Sequence, residues 1–311
     1  MGDPIVLEGL TKVYGDFVAV DDVDMRVKKN SFTGFLGPNG AGKSTTLKIL
    51  TNLTKATSGS AYLNGIDVTQ DFKGALANVG VVVETPEFYP YLTPHETFSY
   101  VGELNGMSKE SIAARGDEIL ELLKMTENAD KRIGEFSKGM KQRIALGQAL
   151  LVDPEIIILD EPTSGLDPRG MVEMREILKG LSSTGLTIFM SSHIMQEVSY
   201  LCDHVAIIER GRIITDGDVK DLLSMNGMRH VEIATINDIS DDHLATIGSW
   251  EQVESVTRLT THRMQIKLDG GDKEQAEIMV LLNSLNLGIV DVHSEGANLE
   301  KLYMELVKET R

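Results

Sequence analysis

The sequence predicts an α/β fold followed by a small α+β unit, and three patterns support this prediction. Short apolar runs alternate with helix-like runs from the start of the chain to about residue 223. Continuous apolar runs of this kind are typical of strands buried on both faces of a largely parallel sheet. One such run leads into a glycine-rich loop and then into a helix-like segment, residues 44–53. After residue 223, the order strand, helix, two strands, helix, strand predicts a ferredoxin-like sandwich, with one extra helix at its end.

The elements of the first part are predicted in chain order. Residues 5–10 and 18–27 suit antiparallel strands, and the buried strands are predicted at residues 31–36, 79–83, 156–159, 187–191 and 205–209. Three helix starts carry residues that suit an N-cap, namely Thr93, Ser137 and Asp167. Thr93 is followed by a proline and then a glutamate in the pattern of a capping box.

We expect two domains. The first covers residues 1–223, a linker covers residues 224–229, and the second domain covers residues 230–311. The second has predicted strands at residues 230–235, 253–259, 264–268 and 289–293, and helices near 240–247, 273–285 and 299–307. Its sequence shows no phosphate loop, metal-ligand cluster or nucleophile arrangement, so we expect it to serve docking or regulation.

Composition and charge exclude several classes of protein. The net charge of −17 and the pI near 4.8 argue against a general nucleic-acid-binding surface, and we expect no nucleic-acid partner. No apolar stretch approaches the length of a membrane span. The single cysteine, Cys202, cannot form an internal disulfide, which favours a reducing compartment and a cytoplasmic location.

A phosphate-binding loop is the strongest motif. Its residues are Gly37, Pro38, Asn39, Gly40, Ala41, Gly42, Lys43, Ser44 and Thr45. Glycines let several backbone N–H groups point into one concavity, and the next helix aims its positive end at the same place. Lys43 can reach the β- and γ-phosphates and the Ser44 hydroxyl can bind Mg²⁺, so the loop predicts a nucleoside triphosphate. The alternative is a glycine-rich turn that matches by chance.

Two adjacent carboxylates, Asp160 and Glu161, follow the apolar run at residues 156–159. A buried strand would deliver both to the sheet edge beside the phosphate loop. There Asp160 would hold Mg²⁺ through water and Glu161 would polarise the attacking water. The alternative is a pair of solvated acids at a strand end.

Four further motifs determine a family. Residues 136–143 (Phe-Ser-Lys-Gly-Met-Lys-Gln-Arg) precede the acidic strand, and residues 164–167 (Ser-Gly-Leu-Asp) follow it. His193 follows the next strand, and Tyr14 precedes the phosphate loop. In order and spacing these motifs resemble the signature, D-loop, switch histidine and adenine-stacking aromatic of ATP-binding-cassette (ABC) ATPases, over roughly the first 220 residues.

The resemblance implies a mixed sheet with an antiparallel β subdomain and a helical subdomain, and a site completed by a second chain. Ser137 and Gly139 would face the phosphate loop of another copy, so that two ATP molecules lie between two head-to-tail domains. His193 would contact the γ-phosphate, Asp167 the opposing subunit, and Tyr14 the adenine. The alternatives are a surface histidine, a simple helix cap and a tyrosine packed in the sheet.

Two departures from the family pattern matter. Lys138 and Met140 replace a glycine and the glutamine of the usual signature, although the Ser137 and Gly139 positions are kept. Glu84 stands where the family's Q-loop usually has glutamine. Its carboxylate could approach Mg²⁺ or its waters, but it adds negative charge beside a triphosphate.

A single cassette without a membrane span or a coiled-coil insertion resembles a separate ATPase subunit. The Glu84 and Ser-Lys-Gly-Met features are similar to those of prokaryotic multidrug and antibiotic exporters. We therefore expect an ATPase that uses ATP and Mg²⁺, forms a homodimer and drives an integral membrane permease from the inner face of the cell membrane. The alternative is a soluble ABC ATPase acting on ribosomes or DNA; a phosphate-loop GTPase or kinase would not explain Ser137 or His193.

Overall fold

The computed structural model describes residues 2–225, 228–270, 272–295 and 299–309. Within it the chain forms two compact units, Met1–Asp218 and Val219–Arg311. No helix in these ranges combines the length and the apolar character that crossing a membrane requires.

Two sheets organise the first unit. The strands are β1 (Ile5–Tyr14), β2 (Phe17–Val27), β3 (Phe32–Leu36), β4 (Ser58–Leu63), β5 (Ile66–Asp67), β6 (Val79–Val82), β7 (Ile156–Asp160), β8 (Thr187–Ser192), β9 (His204–Glu209) and β10 (Arg212–Asp218). One sheet has the order β2-β1-β4-β5 and is antiparallel, as predicted for the N-terminal strands. The other has the order β10-β9-β3-β8-β7-β6, in which β9, β3, β8, β7 and β6 run parallel and β10 is antiparallel. The predicted mixed α/β fold is confirmed.

Helices surround these sheets. They are α1 (Lys43–Leu50), α2 (Phe72–Leu76), α3 (Pro94–Leu104), α4 (Lys109–Leu122), α5 (Lys138–Leu150), α6 (Pro168–Ser182) and α7 (Met195–Leu201). The three predicted caps are confirmed: Thr93 forms a full capping box with Glu96, and Ser137 and Asp167 each accept a backbone N–H of their helix. The helices α3, α4 and α5 pack on one another and form the helical subdomain.

Close packing explains two features of this unit. The five residues of β3 are all buried, which matches an apolar strand in the middle of a covered sheet. Phe35 packs on Phe189 of the neighbouring strand with 5.6 Å between ring centres. In the helical subdomain, a Cβ on Gly147 would lie 2.8 Å from the Phe98 ring, so only glycine lets α5 approach α3 this closely.

The second unit follows the predicted βαββαβ order. It contains α8 (Val219–Met225), β11 (Met228–Thr235), α9 (Asp241–Gly248), β12 (Val253–Thr260), β13 (Arg263–Asp269), α10 (Asp272–Ser284), β14 (Ile289–Glu295) and α11 (Leu299–Glu309). Its antiparallel sheet has the order β12-β13-β11-β14. Alternating residues of β13 are buried, including Met264, Ile266 and Leu268, so one face of this sheet carries the core of the unit.

The domain boundary predicted after residue 223 stays a prediction. In the structure the second unit begins at Val219, and α8 continues to Met225. Residues 226 and 227 of the predicted linker lie outside the described residues.

Candidate functional site

Three parallel strands end at the same edge of the larger sheet and bring the predicted residues together. Leu36 of β3 pairs with Ser192 of β8, and Asp160 of β7 pairs with Ser191. The phosphate loop follows β3, Glu161 follows β7 and His193 follows β8. The carboxyl edge of a parallel sheet is the usual place for ligand sites in α/β folds.

The glycines of the loop are required by its geometry. A Cβ on Gly37 would lie 2.3 Å from the carbonyl oxygen of Ile208, and one on Gly42 would lie 2.4 Å from that of Ala19. Gly42 also has a φ of 109°, where L side chains are strained. The Gly37 N–H donates to the Ser192 carbonyl (3.2 Å), so the start of the loop is fixed to β8.

Lys43 is folded into the loop. Its side chain is 4% exposed, and its ammonium group donates to the carbonyls of Gly37 (2.8 Å) and Pro38 (3.0 Å). It lies 3.3 Å from Oε1 of Glu161. The loop's own carbonyl groups thus hold the positive charge of Lys43 at the loop. A positive charge beside the backbone N–H groups of such a loop is suited to binding a phosphate.

Glu161 is the centre of the polar group. Its Oε1 pairs with Lys43, and its Oε2 lies 3.1 Å from Nδ1 of His193. Its backbone is left-handed, with a φ of 46°, and its N–H donates to the hydroxyl (3.0 Å) and carbonyl (3.2 Å) of Ser191. A strained backbone held by neighbouring bonds is a feature of functional sites, and here it turns the carboxylate toward both partners.

Asp160 and Ser44 are the two residues of this edge that the sequence predicts as magnesium ligands. The Ser191 hydroxyl donates to Oδ1 of Asp160. Within the described ranges, no hydrogen bond engages the other Asp160 oxygen or the Ser44 hydroxyl. A carboxylate and a hydroxyl are hard oxygen donors, which is the ligand chemistry that Mg²⁺ prefers, and the metal site stays a prediction.

Ser137 and Gly139 stand at the start of α5, beside the start of α6. The Ser137 hydroxyl accepts the N–H of Met140 (3.3 Å), and Asp167 accepts that of Gly170 (3.3 Å). A Cβ on Gly139 would lie 3.8 Å from Cα of Gly170, so the two helix starts adjoin. No hydrogen bond among the described residues joins Ser137 or Gly139 to the phosphate loop of the same chain.

Tyr14 ends β1 with its side chain half exposed rather than packed in the sheet. The ammonium group of Lys12 lies 4.8 Å from the centre of its ring. An exposed aromatic face is available for stacking, and the adenine contact stays a prediction.

Glu84 is paired with a lysine that the sequence reasoning did not single out. It has a φ of 73°, and its Oε1 lies 2.5 Å from Nζ of Lys48 on α1. The hydrogen bond that the Lys48 ammonium group donates to Glu84, together with the negative charges of Glu84 and Asp160, raises the pKa of Lys48. This ion pair engages one oxygen of the carboxylate that the sequence predicts near Mg²⁺ or its waters, and the metal role stays a prediction.

Sequence reasoning also missed the structural part played by Ser191 and Ser192. Both are buried hydroxyls at the end of an apolar strand. Buried polar side chains need hydrogen-bond partners, so two serines closing an apolar run could have signalled a polar site at that strand end.

Comparisons with known proteins agree with the arrangement of motifs. Residues 20–164 match the family profile described as ABC transporter. The linearmycin resistance ATP-binding protein LnrL of Bacillus subtilis is 34% identical over 97% of this chain and 98% of its own. The bacitracin transport ATP-binding protein BcrA of Bacillus licheniformis is 42% identical over 67% of each chain.

A third relative and a solved structure extend the comparison. The Nod factor export ATP-binding protein I of Cupriavidus metallidurans is 38% identical over 70% of this chain and 72% of its own. The crystal structure of the ADP conformation of MJ1267, an ATP-binding cassette of an ABC transporter, is 28% identical with a TM-score of 0.64. The matched region covers 72% of this chain and 96% of the MJ1267 chain.

Proposed function

Because the chain belongs to the ABC transporter family and is an ATP-hydrolysing subunit, we propose that two copies bind two MgATP between them, head to tail, and drive a separate membrane permease. The observation that carries the proposal is the position of the Glu161 carboxylate, which pairs with Lys43 through one oxygen and with His193 through the other. A carboxylate, the lysine of the loop and a histidine thus lie together at one sheet edge, which supports a site for phosphate chemistry.

The residues divide the work of hydrolysis. Backbone N–H groups of the phosphate loop after Pro38 bind the phosphates together with Lys43. Tyr14 stacks on the adenine, and Ser44 and Asp160 would hold Mg²⁺. When bound, Mg²⁺ neutralises charge on the β- and γ-phosphates. Glu161 orients a water and takes its proton as the water oxygen attacks the γ-phosphorus and the bond to the β-phosphate oxygen breaks, releasing ADP and phosphate. His193 contacts the γ-phosphate.

A second copy completes the site. Ser137 and Gly139 offer N–H groups at a helix start, which favours an anion, yet no hydrogen bond in the described part of the chain joins them to their own phosphate loop. A γ-phosphate bound by another copy would satisfy both features. Closure on ATP and opening after hydrolysis would then be the motion passed to the permease.

Export is the direction that the relatives' names support, since one concerns linearmycin resistance and another Nod factor export. The subunit would act at the cytoplasmic face of the membrane, held there by the permease. A ribosome- or DNA-directed ATPase is disfavoured by the net charge of −17. Recovery with ribosomes or DNA, and never with a membrane protein, would overturn the transporter assignment.

The substitution Glu161→Gln tests the proposal. We expect kcat for ATP to fall about 10²- to 10⁴-fold, because the general base is lost, while ATP still binds and an ATP-bound dimer accumulates. Phosphate release and sedimentation with and without ATP measure the two effects. The matched control is Glu155→Gln, which removes an exposed carboxylate just before the first residue of β7. It should leave kcat and the ATP-bound dimer unchanged. Most of the activity surviving in Glu161→Gln would refute the role.

A further inference from the structure

Glu197 on α7 is a buried carboxylate that the mechanism above does not use. Its side chain is 1% exposed, and it lies in the first turn of α7, four residues after His193. Oε2 accepts a hydrogen bond from the Ser192 hydroxyl at 2.9 Å. Burying a carboxylate is costly unless it is hydrogen-bonded or paired, so this residue needs an explanation.

Ser192 connects Glu197 to the site from both of its ends. Its hydroxyl donates to Glu197 and accepts the N–H of Ile194 at 3.0 Å. Its carbonyl accepts the N–H of Gly37, the first residue of the phosphate loop. The residues on either side of His193 are therefore held by one set of bonds, while the His193 side chain itself stays 37% exposed and faces Glu161.

The second oxygen of Glu197 faces α6. Its Oε1 lies 3.6 Å from Nε of Arg175, and neither atom has a hydrogen-bond partner among the described residues. The buried charge of Glu197 thus meets an opposite charge on the helix that begins after Asp167. An opposite charge at this distance offsets part of the cost of burying the Glu197 carboxylate beside Ser192.

We propose that Glu197 is a positioning residue for ATP hydrolysis: acting through Ser192, it fixes the turn that carries His193 so that the imidazole reaches the γ-phosphate. The inference rests on the proposed function, in which His193 contacts that phosphate. Since ADP lacks the γ-phosphate, loss of the hydrogen bond from Ser192 to Glu197 should lower the affinity for ATP and leave the affinity for ADP unchanged.

Two substitutions break the bond from opposite sides, and a third keeps it. Ser192→Ala removes the donor, Glu197→Leu removes the acceptor, and Glu197→Gln retains an acceptor oxygen. We expect the first two to lower kcat by about 10- to 100-fold, because a reacting group displaced by about 1 Å can cost 10²-fold. We also expect them to weaken binding of a non-hydrolysable ATP analogue while the Kd for ADP holds. Glu197→Gln should retain most of both properties.

Three comparisons decide the matter. Glu176→Gln neutralises an exposed carboxylate of α6 that pairs with Lys124, and it should change neither kcat nor the two affinities. An unchanged ratio of ATP to ADP affinity in both Ser192→Ala and Glu197→Leu overturns the inference, and so does a parallel loss of both affinities. A Glu197→Gln variant as impaired as Glu197→Leu also overturns it. If Glu197→Leu does not fold, Ser192→Ala alone decides.

His193→Ala separates this inference from the proposed function. If His193→Ala lowers the affinity ratio and the Ser192 and Glu197 variants do not, only the positioning role falls. If His193→Ala leaves the ratio unchanged, the assigned role of His193 falls and the inference falls with it.

Discussion

Lys48 and Glu84 form an ion pair between α1 and the segment that follows β6, on residues whose side chains are 33% and 62% exposed. Exposed pairs contribute about 0–1 kcal/mol to stability, so this one matters more for the charge near the site than for folding. With the pair intact, Glu84 offsets the positive charge of Lys48. The negative charge that Glu84 adds in place of the family's usual glutamine is therefore neutralised by Lys48.

The substitution Glu84→Gln should tighten nucleotide binding. It removes one negative charge and leaves Lys48 unpaired, so we expect the Kd for MgATP to fall a few-fold, with a melting temperature close to that of the native chain. Calorimetric titration with and without Mg²⁺ measures this. Glu87→Gln, a change of the same charge at a nearby exposed carboxylate, is the control. Weaker MgATP binding with unchanged metal-free binding would instead assign Glu84 to the metal.

The motif residues could be predicted because fixed spacing along the chain encodes them. Lys43, Asp160 and Glu161 each follow a recognisable strand, and parallel strands bring their ends to one edge. The pair between Lys48 and Glu84 could not be predicted, since nothing in either segment indicates which distant side chain it meets. Glu197 was missed for the same reason, because its burial depends on the packing of α6 and α7.

Among the secondary-structure elements, the hairpin of β9 and β10 was predicted only in part. The apolar β9 was identified, but β10 was not, because an edge strand rich in polar residues lacks the pattern of a buried one. Its pairing with β9 is supported by His204, whose Nε2 lies 2.7 Å from Asp216 and whose Nδ1 lies 2.9 Å from Asp218. Lys28 approaches Asp218 at 3.1 Å.

This hairpin should stabilise the fold in a pH-dependent way. The hydrogen bond to Asp216, opposed by burial and reinforced by Asp218, raises the pKa of His204, and the bond to His204 lowers the pKa of Asp218. A raised histidine pKa gives stability that is complete below the unfolded value of about 6.5 and is lost as pH rises through the folded value. The lowered aspartate pKa gives stability present above about 3.9 and lost as pH falls further.

Replacing His204 by glutamine should therefore lower the melting temperature most between about pH 4 and 6.5, where both contributions are present. The difference from the native chain should shrink as pH rises to 9, since the native imidazole then loses its charge. Thermal unfolding across this range measures it. His262→Gln, at a histidine 53% exposed, provides the comparison. A difference that does not vary with pH would contradict the assigned charge of His204.

At the scale of the whole molecule, each unit has a core of its own. Phe35, Leu47 and Ile158 belong to the core of the first unit, and Ile233, Ile266 and Leu282 to that of the second. All of the proposed nucleotide-binding and catalytic residues, from Tyr14 to His193, lie in the first unit. The sequence predicted this division of labour because the motifs stop well before the βαββαβ pattern begins.

Chains shortened at two positions should test both the division and the role of the second unit. Val219 and Leu222 are buried residues of α8, which belongs to the second unit and contacts α11. A chain ending at residue 223 keeps both residues but loses α11, whereas a chain ending at Asp218 removes both. We expect the chain ending at Asp218 to be the more soluble and to bind ATP with the Kd of the full chain. Calorimetric titration and the yield of monodisperse protein measure this; loss of ATP binding in both shortened chains would show that the first unit needs the second.

The docking role proposed for the second unit predicts a separate loss. Both chains would carry Glu161→Gln, which holds the ATP-bound state. We expect the chain ending at Asp218 to form less dimer, or to co-purify with less permease, than the full chain with the same substitution. Its nucleotide site is nevertheless complete. Sedimentation with ATP measures the dimer, and co-purification of membrane proteins from solubilised membranes measures the permease contact. Because nucleotide affinity is measured on the same samples, a defect in folding is distinguished from a defect in docking. Dimer and permease recovery equal to those of the full chain would remove docking as the role of this unit and leave regulation of the ATPase rate to be tested.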